Sequence, residues 1–151
     1  MNDDLDRIME VMEAAFDPAW GEAWTRRQVA DSLALPNTHY ILVDREGRAP
    51  QGDSKTSGFV LSRSAPGEEE LLLIAVEPES RTLGLGRKLV EMFKTDAKVR
   101  GAERVFLEMR CNNPAQALYR SSGFETIGKR RNYYRLSDGS RLDAITFGMS
   151  I

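Results

Sequence analysis

At 151 residues the chain has the usual size of one domain and leaves little room for a second core. Apolar residues make up 41% and charged residues 29%, which supports a buried core and excludes a disordered chain. Lys and Arg number 21 against 23 Asp and Glu, so the formal net charge of -2 excludes an overall basic, nucleic-acid-binding footprint.

The start, Met1-Asn2-Asp3-Asp4, is acidic where a signal peptide is basic and then apolar, and no span approaches the ~18 apolar residues of a membrane helix. A cytoplasmic protein is expected, with no membrane or nucleic-acid partner. Leu5, Ile8, Met9, Met12 and Ala15 or Phe16 recur at helical spacing, so residues 4–16 read as an amphipathic helix capped by Asp3 or Asp4. A linker over residues 17–24 leads to Thr25, the N-cap of a second helix that stops before Pro36. Residues 40–43 and 58–61 read as strands, and the polar stretch 44–57 between them as a mobile hairpin loop. Residues 70–76 form a continuous apolar run bounded by glutamates and Pro78, as expected of a mid-sheet strand buried on both faces. From Gly84 a helix places Leu85, Leu89, Met92, Phe93 and Ala97 on one face, with Lys98 and Arg100 in its last turn and Gly101 beyond. Residues 105–109 are the next strand. Asn113 and Pro114 offer an N-cap and a first-turn proline for a short helix through Tyr119 to Gly123. Asp138-Gly139 marks a last hairpin between strands at 132–136 and 142–149.

Cys111 and His39 are the only cysteine and histidine. An intrachain disulfide is therefore impossible, a Cys/His zinc cluster is not available, and any nucleophilic triad would have to use one imidazole. Carboxylates do not cluster at ligand spacing, so no metal is expected. The segment from Val76 to Lys88 is the most informative. A central strand ends, a short loop follows, and a helix opens on Gly84 and Gly86 with Arg81, Arg87 and Lys88 beside it. Glycines there let phosphate oxygens reach backbone N–H groups at the positive helix end; the plain alternative is a tight strand-to-helix turn with surface arginines. A Walker loop would need Gly-Lys-Ser/Thr, and a dinucleotide fingerprint would need glycine where Leu89 stands.

Arg81-Thr82-Leu83-Gly84-Leu85-Gly86 resembles the Arg/Gln-x-x-Gly-x-Gly/Ala acyl-CoA loop of the GNAT acyltransferases. Further along, Leu107-Glu108-Met109-Arg110, Asn112-Asn113-Pro114-Ala115, Ala117-Leu118-Tyr119, Gly123-Phe124 and Arg130-Arg131-Asn132-Tyr133-Tyr134 resemble, in order, the RimI-type ribosomal-protein-alanine N-acetyltransferases. The likeness covers residues 70–149, with a weaker echo at 16–24. It implies a single N-acetyltransferase domain over 1–151, of mixed α/β fold, in which two neighbouring parallel strands ending near Val76 and Met109 splay to admit acetyl-CoA. It implies that backbone along Ile74, Ala75 and Val76 pairs with the pantetheine arm, and that amides from Thr82 to Arg87 hold the pyrophosphate with Arg81 nearby. It makes Glu108 the general base, Asn112 a cofactor contact and Tyr119 the acid that protonates the departing thiolate.

Two alternatives stay open. Glu77 also ends a central strand and is a rival base. The turn between Glu108 and Tyr119 is one residue shorter than the family pattern, so counting back from Tyr119 selects Asn112 and counting forward from Glu108 selects Asn113. Arg135 stands where a proline often follows the paired tyrosines, and one extra residue appears near Ser140. The acceptor implied is the N-terminal alanine of a small-subunit ribosomal protein, and an α-amine of pKa ~7.7–8.0 needs less help to become a nucleophile than a lysine near ~10.4. Another N-terminus, a lysine or a small amine is the alternative acceptor, and a non-catalytic acyl-CoA-binding module the alternative role.

Overall fold

The computed structural model describes residues 3–16 and 22–151; the expected linker therefore lies largely outside the described residues. The first helix, α1 (Asp4–Ala15), is capped by Asp3, whose carboxylate accepts from the Asp6 N–H at 2.8 Å. Helix α2 (Arg26–Leu33) opens on a reciprocal capping box between Thr25 and Gln28. The strands are β1 (Thr38–Val43), β2 (Gly58–Ala65), β3 (Glu68–Val76), β4 (Arg104–Arg110), β5 (Glu125–Arg135) and β6 (Arg141–Ser150). They form one mixed sheet in the order β1-β2-β3-β4-β6-β5, antiparallel except between β3 and β4. Helix α3 (Leu85–Val99) makes the crossover that a parallel pair requires.

Side-chain alternation splits the core between the two faces of the sheet. Phe59 and Leu61 of β2 pack with Ile8, Met12 and Val29 of α1 and α2. Val60, between them, points the other way and packs with Leu89 and Phe93 of α3. Phe93 is fully buried, and its truncation to Ala would cost about 3–5 kcal/mol. Among the described residues no helix is long and apolar enough to cross a membrane.

The sheet opens at its centre. Strands β3 and β4 pair only from Glu68↔Arg104 to Leu71↔Leu107, whereas β2 stays with β3 to Val76 and β6 stays with β4 to Arg110. A bulge coincides with the parting. Opposite β2, Leu61 faces Leu73 and Ser62 faces Leu71, so Leu72 is an extra residue in β3. A bulge bends its strand and raises the local twist, which turns the end of β3 away from β4.

Several elements differ from the sequence reading. The end of β3 is not buried on both faces: Leu72, Leu73, Ile74 and Val76 are half-exposed because the opening lies beside them. A 3₁₀ turn (Pro78–Leu83) stands between β3 and α3. Helix α4 (Gln116–Ser121) starts later than expected; its N-cap is Ala115, and the Asn113 side chain accepts from the Ala115 N–H at 2.9 Å to close the turn before it. Strand β5 begins at Glu125, where exposed Lys and Arg conceal a strand from a search for alternating apolar residues. The loop after β1 is tethered: Arg7 of α1 donates to the carbonyls of Gly52 (2.6 Å) and Ser54 (2.9 Å) and to the Thr56 hydroxyl (3.1 Å).

At the closed end of the parallel pair, fully buried Glu69 takes two hydrogen bonds from Arg100, at 2.6 and 2.8 Å, and one from Ser62 at 2.7 Å. His39 of β1 bonds Ser64 through Nε2 at 2.9 Å. Its pKa lies below 6.5, because burial and then the Arg100 charge disfavour the imidazolium.

Candidate active site

Beyond Leu71 and Leu107 the facing edges of β3 and β4 have no partner strand, so their backbone N–H and C=O groups are left for a ligand. A cavity of about 780 Å³ fills the opening. Ile74, Ala75 and Val76 line it from β3, Glu108 and Arg110 from β4, and Tyr119 and Tyr134 from α4 and β5. Arg81 and Gly86 also line it and bracket Thr82, Leu83, Gly84 and Leu85 in the chain.

The two glycines are there for different reasons. Gly84 has φ +75° and no atom within 4 Å of where a Cβ would sit, so backbone conformation demands it. A Cβ on Gly86 would come within 3.3 Å of the Leu118 side chain, so space demands it. The first backbone bond into α3 is Lys88 N–H to Gly84 C=O, at 3.1 Å; the N–H groups of Leu85, Gly86 and Arg87 precede it at the positive helix end. Unpaired strand edges at one side and these amides at the other suit an extended ligand that carries phosphate. Leu85 is buried and offers only backbone, while Thr82, Leu83 and Arg87 are exposed. Arg81 is more than a charge beside the loop: Nε donates to Val76 C=O at 3.1 Å and a terminal nitrogen to Ala15 C=O at 2.7 Å, tying the end of β3 to the end of α1.

The Glu108 side chain is 19% exposed, with Oε2 3.2 Å from Arg130 Nε and accepting from the Thr146 hydroxyl at 3.2 Å. Tyr119 is buried against Phe124 in an edge-to-face contact. Burial, reinforced by the Glu22 carboxylate, pushes its hydroxyl well above the ordinary tyrosine range, so it carries its proton at neutral pH. Tyr134 is pushed up to about 12 by burial, then by Glu108 and Glu22.

Glu77 lies elsewhere. It is absent from the cavity wall and sits in a cleft with Ser57 and Ser80, both of which donate to its Oε1, while Lys55 pairs with Oε2 at 3.0 Å. Burial pushes the carboxyl up, but Lys55 and the two hydroxyls outweigh it and hold the pKa below the ordinary value. Asn113, not Asn112, lines the cavity; Asn112 accepts from Arg110 at 2.8 Å. Cys111 and His39 do not line it. Among the described residues no group of three or more His, Cys, Asp or Glu could hold a metal. The sequence reading missed Glu22, which lines the cavity and pairs with Arg110 at 3.2 Å. It stands in the stretch between α1 and α2, where no periodicity marks a position; the faint likeness at 16–24 was the one available signal.

The model of the Acetyltransferase (GNAT) family matches residues 5–124. The chain is 39% identical over 100 residues to the ribosomal protein bS18-alanine N-acetyltransferase of Escherichia coli (strain K12), covering 66% of the chain and 67% of that relative. It is 38% identical over 137 residues to the N-alpha-acetyltransferase RimI of Mycobacterium tuberculosis, covering 89% and 80%. The crystal structure of the ribosomal-protein-S18-alanine N-acetyltransferase from Escherichia coli matches with a TM-score of 0.80 at 30% identity, covering 98% of this chain and 88% of that one.

Proposed function

The chain belongs to the GNAT acetyltransferase family, and from that premise we propose that its 151 residues form one domain that moves acetyl from acetyl-CoA to the N-terminal alanine amine of ribosomal protein bS18. The family uses acyl-CoA, and acetyl-CoA supplies an activated acetyl thioester. The free edge at Ile74, Ala75 and Val76 holds the pantetheine arm, and amides from Thr82 to Arg87 hold the pyrophosphate beside Arg81. Backbone donors in the opening meet charge that develops on the acyl oxygen. Glu108 takes the proton that the attacking amine must lose, and Tyr119 gives a proton to the departing sulfur, so the loss at nitrogen is balanced by the gain at sulfur. Asn113 takes the place expected for Asn112.

One observation carries this reading: Glu108 and Tyr119, from neighbouring elements, face the same cavity between unpaired strand edges, and Glu77 does not. Mass spectrometry of a peptide panel with acetyl-CoA tests it. A gain of one acetyl group is expected on a bS18 N-terminal peptide beginning with alanine, and none on the same peptide with its N-terminus blocked. Transfer only to lysines, polyamines or other N-termini overturns the acceptor. Acetyl-CoA binding with no transfer overturns the enzymatic role in favour of a binding module.

A further inference from the structure

The turn that carries α4 is tied from across the cavity to a carboxylate, that of Glu22. Through α2, whose N-cap Thr25 follows it by three residues and whose Val29 shares a core cluster with Phe59, Leu61 and Ala75, Glu22 is anchored on the β2–β3 side of the opening. Its Oε1 lies 3.2 Å from Nε of Arg110, the last residue of β4, and its Oε2 accepts from Nδ2 of Asn113 at 3.4 Å. Those two partners stand at the start and in the middle of the turn between β4 and α4. Arg110 is buried, so its contact with Glu22 is an ion pair in a water-poor place, and a terminal nitrogen donates to Asn112, within the turn. The Oδ1 of Asn113 accepts from the Ala115 N–H at 2.9 Å, and Ala115 C=O takes the Tyr119 N–H at 3.2 Å. A continuous polar chain therefore runs Glu22, Asn113, Ala115, Tyr119. It ends at the hydroxyl-bearing residue, and the Glu22 charge reaches that hydroxyl as well.

Resting on the acetyltransferase reading, we propose that Glu22 is a positioning residue for the leaving-group end of the reaction: by clamping Arg110 and Asn113 it sets where Tyr119 stands relative to the free edge of β3. The two halves of the opened sheet share backbone pairing only below Leu71 and Leu107, so nothing in the β3–β4 ladder fixes that distance at the cavity. A side-chain clamp across the gap supplies what the ladder does not. Glu22 takes up no proton from the amine and touches neither reacting atom in this proposal; its effect passes through Asn113 and the α4 turn.

The test is a double-mutant cycle on kcat with saturating acetyl-CoA and acceptor peptide, with Glu22→Ala and Tyr119→Phe made singly and together in the full chain. Misplacement of a reacting group by ~1 Å costs up to ~10²-fold, so Glu22→Ala is expected to lower kcat by about tenfold, with acetyl-CoA affinity within about twofold of the parent. In the Tyr119→Phe background the same change should cost less than about threefold, because the group it positions is gone. Glu22→Gln, which keeps an acceptor oxygen and the length of the side chain, should recover part of the loss and guards against misfolding of the alanine variant. Independent, multiplicative effects of the two changes overturn the proposal, as does an effect of Glu22→Ala confined to acetyl-CoA affinity. Either result in an active parent leaves the acetyltransferase reading standing, whereas a parent inactive on every amine overturns both.

Discussion

Arg130 and the Thr146 hydroxyl both hold Oε2 of Glu108, so its carboxylate is oriented before any acceptor arrives and no hydrogen bond within the chain is made to Oε1 among the described residues. At neutral pH most of an α-amine near pKa ~8 is protonated, and a positioned base is worth ~10²–10⁴-fold. Glu108→Gln keeps the shape and removes the basicity. Steady-state kinetics should show kcat/KM at least tenfold lower near neutral pH, judged against that base contribution, with near-parental acetyl-CoA affinity. The loss should shrink as pH rises, because more of the amine is then deprotonated without help. Glu77→Gln should instead lower the melting temperature, since two serines and Lys55 lose a buried anion; a fall in kcat/KM as large as that of Glu108→Gln would transfer the role. Tyr119→Phe should lower kcat and leave acetyl-CoA affinity unchanged, because the proton matters only as the carbon–sulfur bond breaks. At this scale the sequence points to Glu108 and Tyr119 through their motif and favours Asn112 over Asn113, because Asn112 brings Asn-x-Pro-Ala into register. The turn geometry favours the other asparagine, since Asn113 closes the turn and lines the cavity. Apart from the faint likeness at 16–24, nothing in the sequence marks Glu22, because its meaning lies in Arg110 and Asn113, far along the chain.

The strand, 3₁₀ turn and helix from β3 to α3 act as one element, and its glycines make it testable. Gly84→Val forces a β-branched residue to φ +75°, and Gly86→Val drives a side chain into Leu118. Titration calorimetry should find acetyl-CoA binding lost in both; unchanged affinity in folded variants would reduce the segment to a turn. Arg81→Ala should weaken binding by a part that high salt erases, from its charge, and a part that salt leaves, from the tether between β3 and α1. Caps and apolar periodicity make α1, α2 and α3 legible in the sequence to within a residue or two. The bulge at Leu72 is not legible, because an uninterrupted Leu-Leu-Leu-Ile run reads as a regular strand. The early part of β5 is hidden for the opposite reason, that its exposed Lys and Arg give no apolar period.

Stability and function occupy opposite ends of the parallel pair. At the closed end, burial pushes the Glu69 carboxyl up, but the Arg100 bonds and Ser62 outweigh it and hold its pKa below the ordinary range. A carboxylate lowered in the folded state contributes stability above its unfolded pKa and loses it as pH falls through the folded value. His39, lowered below 6.5, adds a loss in the same direction, because the unfolded chain takes up its proton first. Thermal melts should therefore fall in two stages, first below pH 6.5 and again below the ordinary carboxylate range. Glu69→Gln should remove part of the second stage and lower the melting temperature at neutral pH, since it takes the charge from the buried partner of Arg100, whose side chain keeps some contact with solvent; an unchanged acid profile would show that the pair is not a source. The open end has a different signature. Along β3 from Leu72 to Val76, alternate amides face the gap with no strand to accept them, although β3 is an interior strand of the sheet. Deuterium should enter those positions quickly in the free protein and slowly once the gap is filled. The centre of this sheet, ordinarily the last place to exchange, would then record occupancy of the cavity amide by amide.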